Sequence, residues 1–326
     1  MSNRILSLLS VIALSGSAAA EVAYELVPNF ITPPPGKETI GNGHGEIAVD
    51  SSGKIYVSVQ EANAGIQVYG KDGKFIKALA LPRSLHGFVI RKDGDGEFLF
   101  GAVLGAPKAG DIPAEPGEHV IKAALDGNVV MDIPKSEFPA DKVGKGLRLT
   151  NCDVAPNGDI YVVDGYGQSH IFVFSREGKF KSVFGGPGEP LKLANAHKVF
   201  IDRRFEPARV MICERGHKRM LHTQLDGTFI GEIATEMRNP SSASFHGDLM
   251  CVAEIAGNVS VWDKDNKRVA DLGTSPKPTN TPGIEPKDWQ QGVVTSPHGI
   301  TFDNDGNILE TEWNKWGRVL RWNLKK

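Results

Sequence analysis

The chain has little of what marks several common protein classes. It holds three cysteines among 326 residues, too few for a disulfide framework. Lys and Arg number 37 against 39 Asp and Glu, so there is no basic excess for a nucleic-acid surface. No apolar run reaches the roughly 20 residues that a transmembrane helix needs, and no pattern indicates a long helix. We therefore expect neither a nucleic-acid partner nor a membrane span.

The first 20 residues have the pattern of an export signal. Arg4 supplies a positive charge, residues 5–14 form an apolar run, and residues 18–20 are alanines suited to signal peptidase. We predict cleavage before Glu21 and a periplasmic or secreted protein. Residues 21–326 are then expected to form a single domain that acts as a monomer.

A strand–turn–strand phrase occurs six times along the chain. Its copies are residues 45–59, 87–103 (turn at Asp95-Gly96), 151–163, 198–213, 241–253 and 299–311. A second hairpin follows most copies, and its turns are Asp72-Gly73, Asp126-Gly127, Glu177-Gly178, Asp226-Gly227 and Asp265-Asn266. These turns lie 54, 51, 49 and 39 residues apart. Four strands in each period of about 40–50 residues are typical of a β-propeller.

The pattern predicts an all-β protein, a six-bladed β-propeller. The last copy supplies only three strands before the chain stops at Lys326. Residues 22–27 are expected to add the missing outer strand and close the ring, which also covers an exposed strand edge.

Three histidines take the same position in alternate blades. Alignment on the first turn of each blade puts His86, His197 and His298 at the start of the innermost strand of blades two, four and six. Because innermost strands line the axis, the three imidazoles should converge there. Three neutral imidazoles with an open fourth position predict a catalytic zinc site, although copper, iron or nickel also accept imidazole. A purely structural role is the alternative, and His44 in blade one is a fourth candidate.

The loops between the second and third strands should open at the same end of the axis. One position in these loops is acidic in four blades, which favours bracing of the loop by hydrogen bonds over catalysis. Those residues are Asp164, Glu214, Glu254 and Glu312. Tyr166 is a candidate base, since a phenol beside a dication can accept a proton; packing on its own loop is the alternative. Arg215 is suited to hold a carboxylate or phosphate, or else to pair with a neighbouring acid.

Residues 151–174 (NCDVAPNGDIYVVDGYGQSHIFVF), 196–202 (AHKVFID) and 297–309 (PHGITFDNDGNIL) resemble NHL-repeat propellers. More narrowly, they resemble the peptidyl-α-hydroxyglycine α-amidating lyase family. The resemblance implies a zinc ion held by His86, His197 and His298, with Tyr166 and Arg215 as catalytic residues. The implied reaction cleaves a C-terminal α-hydroxyglycine into a peptide amide and glyoxylate.

The chain departs from that family at three positions. Gln60 lies in the first-blade loop that carries a catalytic Arg in the family, and Ser296 replaces a Met. Gly299 replaces an Asp that helps to bind calcium, so calcium is not expected here. These differences point away from amidated-peptide precursors and toward another small α-hydroxy substrate.

Two functional classes follow. The first is an exported zinc-dependent lyase acting on a small-molecule or peptide substrate. The alternative is a non-catalytic NHL-repeat propeller that binds a protein, peptide or glycan at its top face, where Trp289, Trp313 and Trp316 would suit an interaction surface. A lactone-opening hydrolase ranks third, because such a metal site needs carboxylate or Asn ligands on the axis.

Overall fold

A computed structural model describes residues 22–62, 64–106, 114–143 and 146–325. The export signal predicted at residues 1–20 lies outside the described residues. Helical structure in the described part is confined to single turns at Lys135–Glu137, Ala140–Val143 and Pro286–Asp288. None of the described helices has the length and apolarity that crossing a membrane requires.

The strands form six four-stranded antiparallel sheets, as the repeats predict. The N-terminal strand β1 (Tyr24–Val27) belongs to the last sheet. Blade one consists of β2 (Gly43–Val49), β3 (Ile55–Val59), β4 (Ile66–Tyr69) and β5 (Phe75–Leu79). Blade two consists of β6 (Leu85–Asp93), β7 (Gly96–Val103), β8 (His119–Ala124) and β9 (Val129–Pro134). Blade three consists of β10 (Asn151–Val154), β11 (Ile160–Val163), β12 (His170–Phe174) and β13 (Phe180–Gly185). Blade four consists of β14 (Ala196–Asp202), β15 (Arg209–Glu214), β16 (Arg219–Thr223) and β17 (Phe229–Ala234). Blade five consists of β18 (Pro240–His246), β19 (Leu249–Glu254), β20 (Asn258–Trp262) and β21 (Arg268–Leu272). Blade six consists of β22 (Pro297–Phe302), β23 (Ile308–Glu312) and β24 (Val319–Leu324), together with β1.

The ring closes through the N-terminal strand. β1 pairs antiparallel with β24, from Tyr24 opposite Leu324 to Val27 opposite Arg321. The predicted closing strand is confirmed, although its pairing begins at Tyr24 rather than at Val22. Tyr24 and Leu26 pack against the apolar cluster between blades five and six, so β1 contributes side chains as well as backbone hydrogen bonds.

The innermost strands β2, β6, β10, β14, β18 and β22 contact one another in that order around the axis. Apolar side chains of neighbouring blades pack face to face and form the core, while the outermost strands are largely exposed. This arrangement gathers the starts of all six innermost strands at one end of the axis.

Glycine sets the hairpin positions. Gly158, with φ of 89°, lies in the first turn of blade three, and Gly73, with φ of 78°, in the second hairpin of blade one. The first turn of blade two lies at Gly94-Asp95, one residue before the predicted Asp95-Gly96, which is therefore a wrong boundary. Gly94 has φ of 61°, a conformation open to glycine without strain, so the strand continues to Asp93 and resumes at Gly96.

Candidate metal and acid–base site

The three registered histidines meet on the axis. His86 lies in β6, His197 in β14 and His298 in β22, and all three side chains are buried. Their ring centroids are 5.1 Å apart for His86 and His197, 4.8 Å for His86 and His298, and 4.9 Å for His197 and His298. The structure thus brings together the three residues that sequence register selects.

Each of these imidazoles is oriented by the next blade. Nδ1 of His86 lies 2.8 Å from the carbonyl oxygen of Thr150, and Nδ1 of His197 lies 2.7 Å from that of Ser241. Nδ1 of His298 lies 2.7 Å from the carbonyl oxygen of Gly45. A carbonyl only accepts, so each Nδ1 must carry the proton and each neutral ring keeps its lone pair on Nε2. Metal-ligating histidines usually have this outer hydrogen bond.

The Tyr166 hydroxyl lies between two imidazole Nε2 atoms that both need a proton donor. Its hydroxyl oxygen is 3.1 Å from Nε2 of both His86 and His197, but one hydroxyl proton can satisfy only one of them. Nε2 of His298 is buried and has no hydrogen-bond partner among the described residues. Three imidazole lone pairs therefore converge with a single proton among them. A cation that accepts nitrogen lone pairs fits this donor set.

His44 completes the cluster from blade one. Its ring centroid is 4.9 Å from that of His86 and 4.8 Å from that of His298. One ligating nitrogen from each of His44, His86 and His298 lies within 4.8 Å of the others, so these three are close enough to bind one metal ion. His197 lies beside this group, with its Nε2 on the Tyr166 hydroxyl.

Burial keeps all four rings neutral. It lowers the pKa of His86, His197 and His298 well below the usual value. The positive charges of Lys198 and Arg215 lower the pKa of His86 and His197 further. For His298 the further lowering comes from Lys198 and the neighbouring histidines. Burial, together with Arg215 and Lys198, lowers the pKa of His44 to about 4. Neutral imidazole is the form that binds a metal.

Arg215 lies on the wall of a cavity beside the histidines. The cavity has a volume of about 400 Å³, and His44, Tyr166 and Trp313 also line it. Nη2 of Arg215 donates to Ser241 Oγ, its buried Nε has no partner, and no ion pair of Arg215 occurs among the described residues. Burial lowers the pKa of this guanidinium, and the Tyr166 hydroxyl opposes that shift. A buried cation without a carboxylate partner can receive an anionic ligand.

The recurrent acids brace their loops. Asp164 accepts the backbone N–H of Arg148 at 2.6 Å and that of Gln168 at 2.8 Å. Glu312 accepts both the backbone N–H and the hydroxyl of Thr295. Glu214 and Glu254 accept equivalent backbone N–H groups before their blades. These carboxylates are occupied structurally, in agreement with the expectation from their recurrence.

A buried ion pair fills the axis next to the histidine cluster. Lys198 Nζ of blade four lies 2.7 Å from Glu46 Oε2 of blade one, and both side chains are buried. A side chain at Gly299 would not fit, because its Cβ would lie 2.5 Å from Glu46 Oε1. Glycine at position 299 therefore leaves room for the Glu46 carboxylate, and the ammonium group of Lys198 supplies the positive charge beside that carboxylate.

Sequence reasoning missed the Glu46–Lys198 pair and undervalued His44. The signal for the pair is positional: Glu46 and Lys198 follow the aligned positions 45 and 197 by one residue, with opposite charge. The signal for His44 is the Gly-His-Gly triplet at the start of β2, where the strand register shifts between Gly43 and Ile47. Such an irregularity re-aims side chains that strand alternation would place on the other face.

Comparison with known proteins supports the fold. No protein-family model matches the chain, and no curated protein sequence does. A streptogramin B lyase structure has a TM-score of 0.58 and 15% identity, covering 93% of this chain and 98% of that one. A catalytically inactive virginiamycin B lyase from Staphylococcus aureus with quinupristin has a TM-score of 0.52 and 15% identity, covering 92% and 88%. A Bacteroides thetaiotaomicron protein of unknown function has a TM-score of 0.63 and 9% identity, covering 94% and 77%. At these identities the likeness is one of fold.

Proposed function

We propose that the protein is a zinc-dependent lyase of the amidating-lyase type, or a relative that cleaves another small α-hydroxy substrate. The observation that carries the proposal is the convergence of three buried imidazole lone pairs and the Tyr166 hydroxyl with one proton among them. Two proteins of similar fold are lyases by name. At 15% identity they support the fold, and the reaction is argued from the site.

His86, His197 and His298 would hold the ion, with His44 beside them. Zinc bound there would supply a Lewis acid that polarises a substrate oxygen. Their Nδ1–H groups on backbone carbonyls keep the rings in the ligating tautomer. The buried positions of the rings exclude water from the opposite side of the site.

Tyr166 and Arg215 act on the substrate itself. Tyr166 Oη would take up the proton of the substrate hydroxyl as it passes its own proton to the departing nitrogen; the carbon–nitrogen bond breaks and the hydroxyl carbon becomes a carbonyl. Arg215, buried and without a carboxylate partner among the described residues, binds the substrate carboxylate and orients it. Gln60 lies where the amidating lyases have an Arg, and it bonds to His44 and Asn42 instead. A substrate other than an amidated-peptide precursor fits this difference.

The alternative is a non-catalytic propeller that binds a partner through its tryptophans. Trp289 donates its indole N–H to the carbonyl of Ile284 and lies beneath the Arg318 guanidinium. Trp313 lines the cavity next to His44. These contacts engage Trp289 and Trp313 within the molecule, so we place the lyase first.

The first test is metal content, measured by mass spectrometry on the mature protein purified without a metal-affinity tag. We expect about one zinc per chain, lost in His298→Ala and retained in His217→Ala, whose side chain is half-exposed and bonds to Glu214. Absence of metal after zinc is offered would overturn the proposal. Turnover of α-hydroxyglycine and other hydroxy-acid substrates should then collapse in Tyr166→Phe. Undiminished turnover would remove Tyr166 as the base.

A further inference from the structure

We propose that His44 is a fourth protein ligand, so that the metal is held by four imidazoles rather than three. This inference rests on the metal site proposed above. It differs from the register prediction, because His44 belongs to an odd-numbered blade and precedes the aligned position by one residue. Its support comes from the backbone that fixes His44, the amides that orient its ring and the position of that ring beside the cavity.

The backbone on both sides of His44 is fixed. Gly43 exchanges two backbone hydrogen bonds with Asn314, of 2.8 and 3.0 Å, which join β2 to the loop of blade six. Gly45 is packed so closely that a Cβ there would lie 1.7 Å from Ser58 Oγ. The register shift between Gly43 and Ile47 lies across the same stretch. His44 is thus held at the cluster by its chain neighbours, with its ring centroid 4.8 Å from that of His298.

A pair of amides orients the ring. Gln60 Nε2 lies 3.2 Å from Nδ1 of His44, and Asn42 Nδ2 donates to Gln60 Oε1 at 2.8 Å. Rotation of both amides by half a turn keeps every bond and presents Gln60 Oε1 to an Nδ1–H group, since amide oxygen and nitrogen are interchangeable in shape. In that arrangement Nε2 of His44 carries the lone pair, as in the other three rings. Gln60 then takes the part that backbone carbonyls play for His86, His197 and His298.

A fourth imidazole alters access to the metal. Three ligands leave one tetrahedral position for water or substrate, whereas four fill it, so a substrate oxygen would have to displace His44 or enter as a fifth ligand. His44 is half-buried, it lines the cavity that Tyr166 and Arg215 also line, and its ring contacts those of His86 and His298. Small anions should therefore reach the metal freely only after His44 is removed.

The test uses Co²⁺ as the metal and azide as the probe anion, on the mature protein, His44→Ala, His44→Gln and the control His217→Ala. We expect Co²⁺ affinity to fall at least about tenfold in both His44 variants, on the scale of lost ligand support. The visible absorption of bound Co²⁺ should change in the His44 variants. Azide should perturb the spectrum of those variants and leave those of the mature protein and His217→Ala unchanged. Circular dichroism of the metal-free proteins checks that each variant folds.

The outcomes separate this inference from the proposed function. Unchanged affinity and spectrum in both His44 variants, with metal lost in His298→Ala, would overturn the role of His44 and leave a three-histidine site standing. Failure of the mature protein itself to bind Co²⁺ or Zn²⁺ would overturn the metal site and this inference together. Equal azide sensitivity in the mature protein and the variants would overturn the closed four-imidazole arrangement.

Discussion

The Glu46–Lys198 pair should contribute strongly to the stability of the ring. Lys198 Nζ donates to Glu46 Oε2 at 2.7 Å and to the carbonyl oxygen of His298 at 3.2 Å. Glu46 also accepts the Ser242 hydroxyl at 2.7 Å and the backbone N–H of Ile300 at 2.9 Å. One carboxylate therefore links blade one to blades four, five and six.

Removal of either partner leaves a buried charge without compensation. We expect Lys198→Met and Glu46→Gln each to lower the free energy of unfolding by about 3–5 kcal/mol. The double variant should lie within about 2 kcal/mol of the parent, because the amide introduced by Glu46→Gln retains an acceptor for Ile300 and a partner for Ser242. The coupling energy of the double-mutant cycle is then at least about 4 kcal/mol, well above the additive limit of about 0.5 kcal/mol.

The assay is urea unfolding followed by tryptophan fluorescence, with Lys192→Met as the control. Lys192 is 65% exposed in its pair with Glu189, so its loss should change stability by no more than about 0.5 kcal/mol. A free energy of unfolding for Lys198→Met within about 1 kcal/mol of the parent would refute the argument that breaking this pair leaves an uncompensated buried charge. Additive effects of the two single variants would refute it as well.

Three further predictions concern other parts of the molecule. Glu310 is buried, and neither of its carboxylate oxygens has a hydrogen-bond partner in the part of the chain that the structure describes; burial, together with Glu312, raises its pKa well above the usual value. The folded chain then holds a proton that the unfolded chain releases near pH 4.5, so stability falls as pH rises, until the pH reaches the raised pKa of the folded group. Within that window Glu310→Gln should gain about 1.4 kcal/mol over the parent per pH unit in urea unfolding. An equal slope in the exposed control Glu206→Gln would contradict this. Deletion of residues 22–27 uncovers the edge of β24 and removes the packing of Tyr24 and Leu26. The free energy of unfolding should fall by about 3 kcal/mol, which corresponds to a melting temperature lower by roughly 6 °C. A melting temperature equal to that of a chain lacking only residues 22–23 would count against closure by β1. Zinc at about a hundred times its dissociation constant should stabilise the protein by about 2.7 kcal/mol, and chelation should reverse it; calorimetry showing no zinc-dependent shift would argue against the site.

The architecture was predictable because its signals are local and repeated. Each Asp-Gly or Asn-Gly turn between apolar strands fixes a hairpin, and the six copies reinforce one another. The convergence of His86, His197 and His298 followed from register alone, since innermost strands share one axis. The boundary at Gly94 was not predictable in the same way, because either glycine of the Gly-Asp-Gly segment at 94–96 can occupy a turn.

The missed Glu46–Lys198 pair and the undervalued His44 depend on features that a single repeat does not show. Glu46 and Lys198 are 152 residues apart and meet only because blades one and four face each other across the axis. His44 required knowledge of the irregular start of β2, which strict alternation along a strand does not provide. Glu46, Lys198 and His44 each lie one residue from the position at which the six blades align.

The alternation of histidine between blades has a physical cause in the structure. Each imidazole of an even blade donates its Nδ1–H to a carbonyl at the start of the next innermost strand, at Thr150, Ser241 and Gly45. Those three positions carry small side chains, which leave the ring space above the neighbouring strand. Three rings alternating with three small residues therefore fit around the axis, and the Nδ1–H of each neutral ring has a backbone acceptor. The alternation in the sequence matches one repeated hydrogen bond between each even blade and the next, the kind of outer bond that metal-ligating histidines usually make.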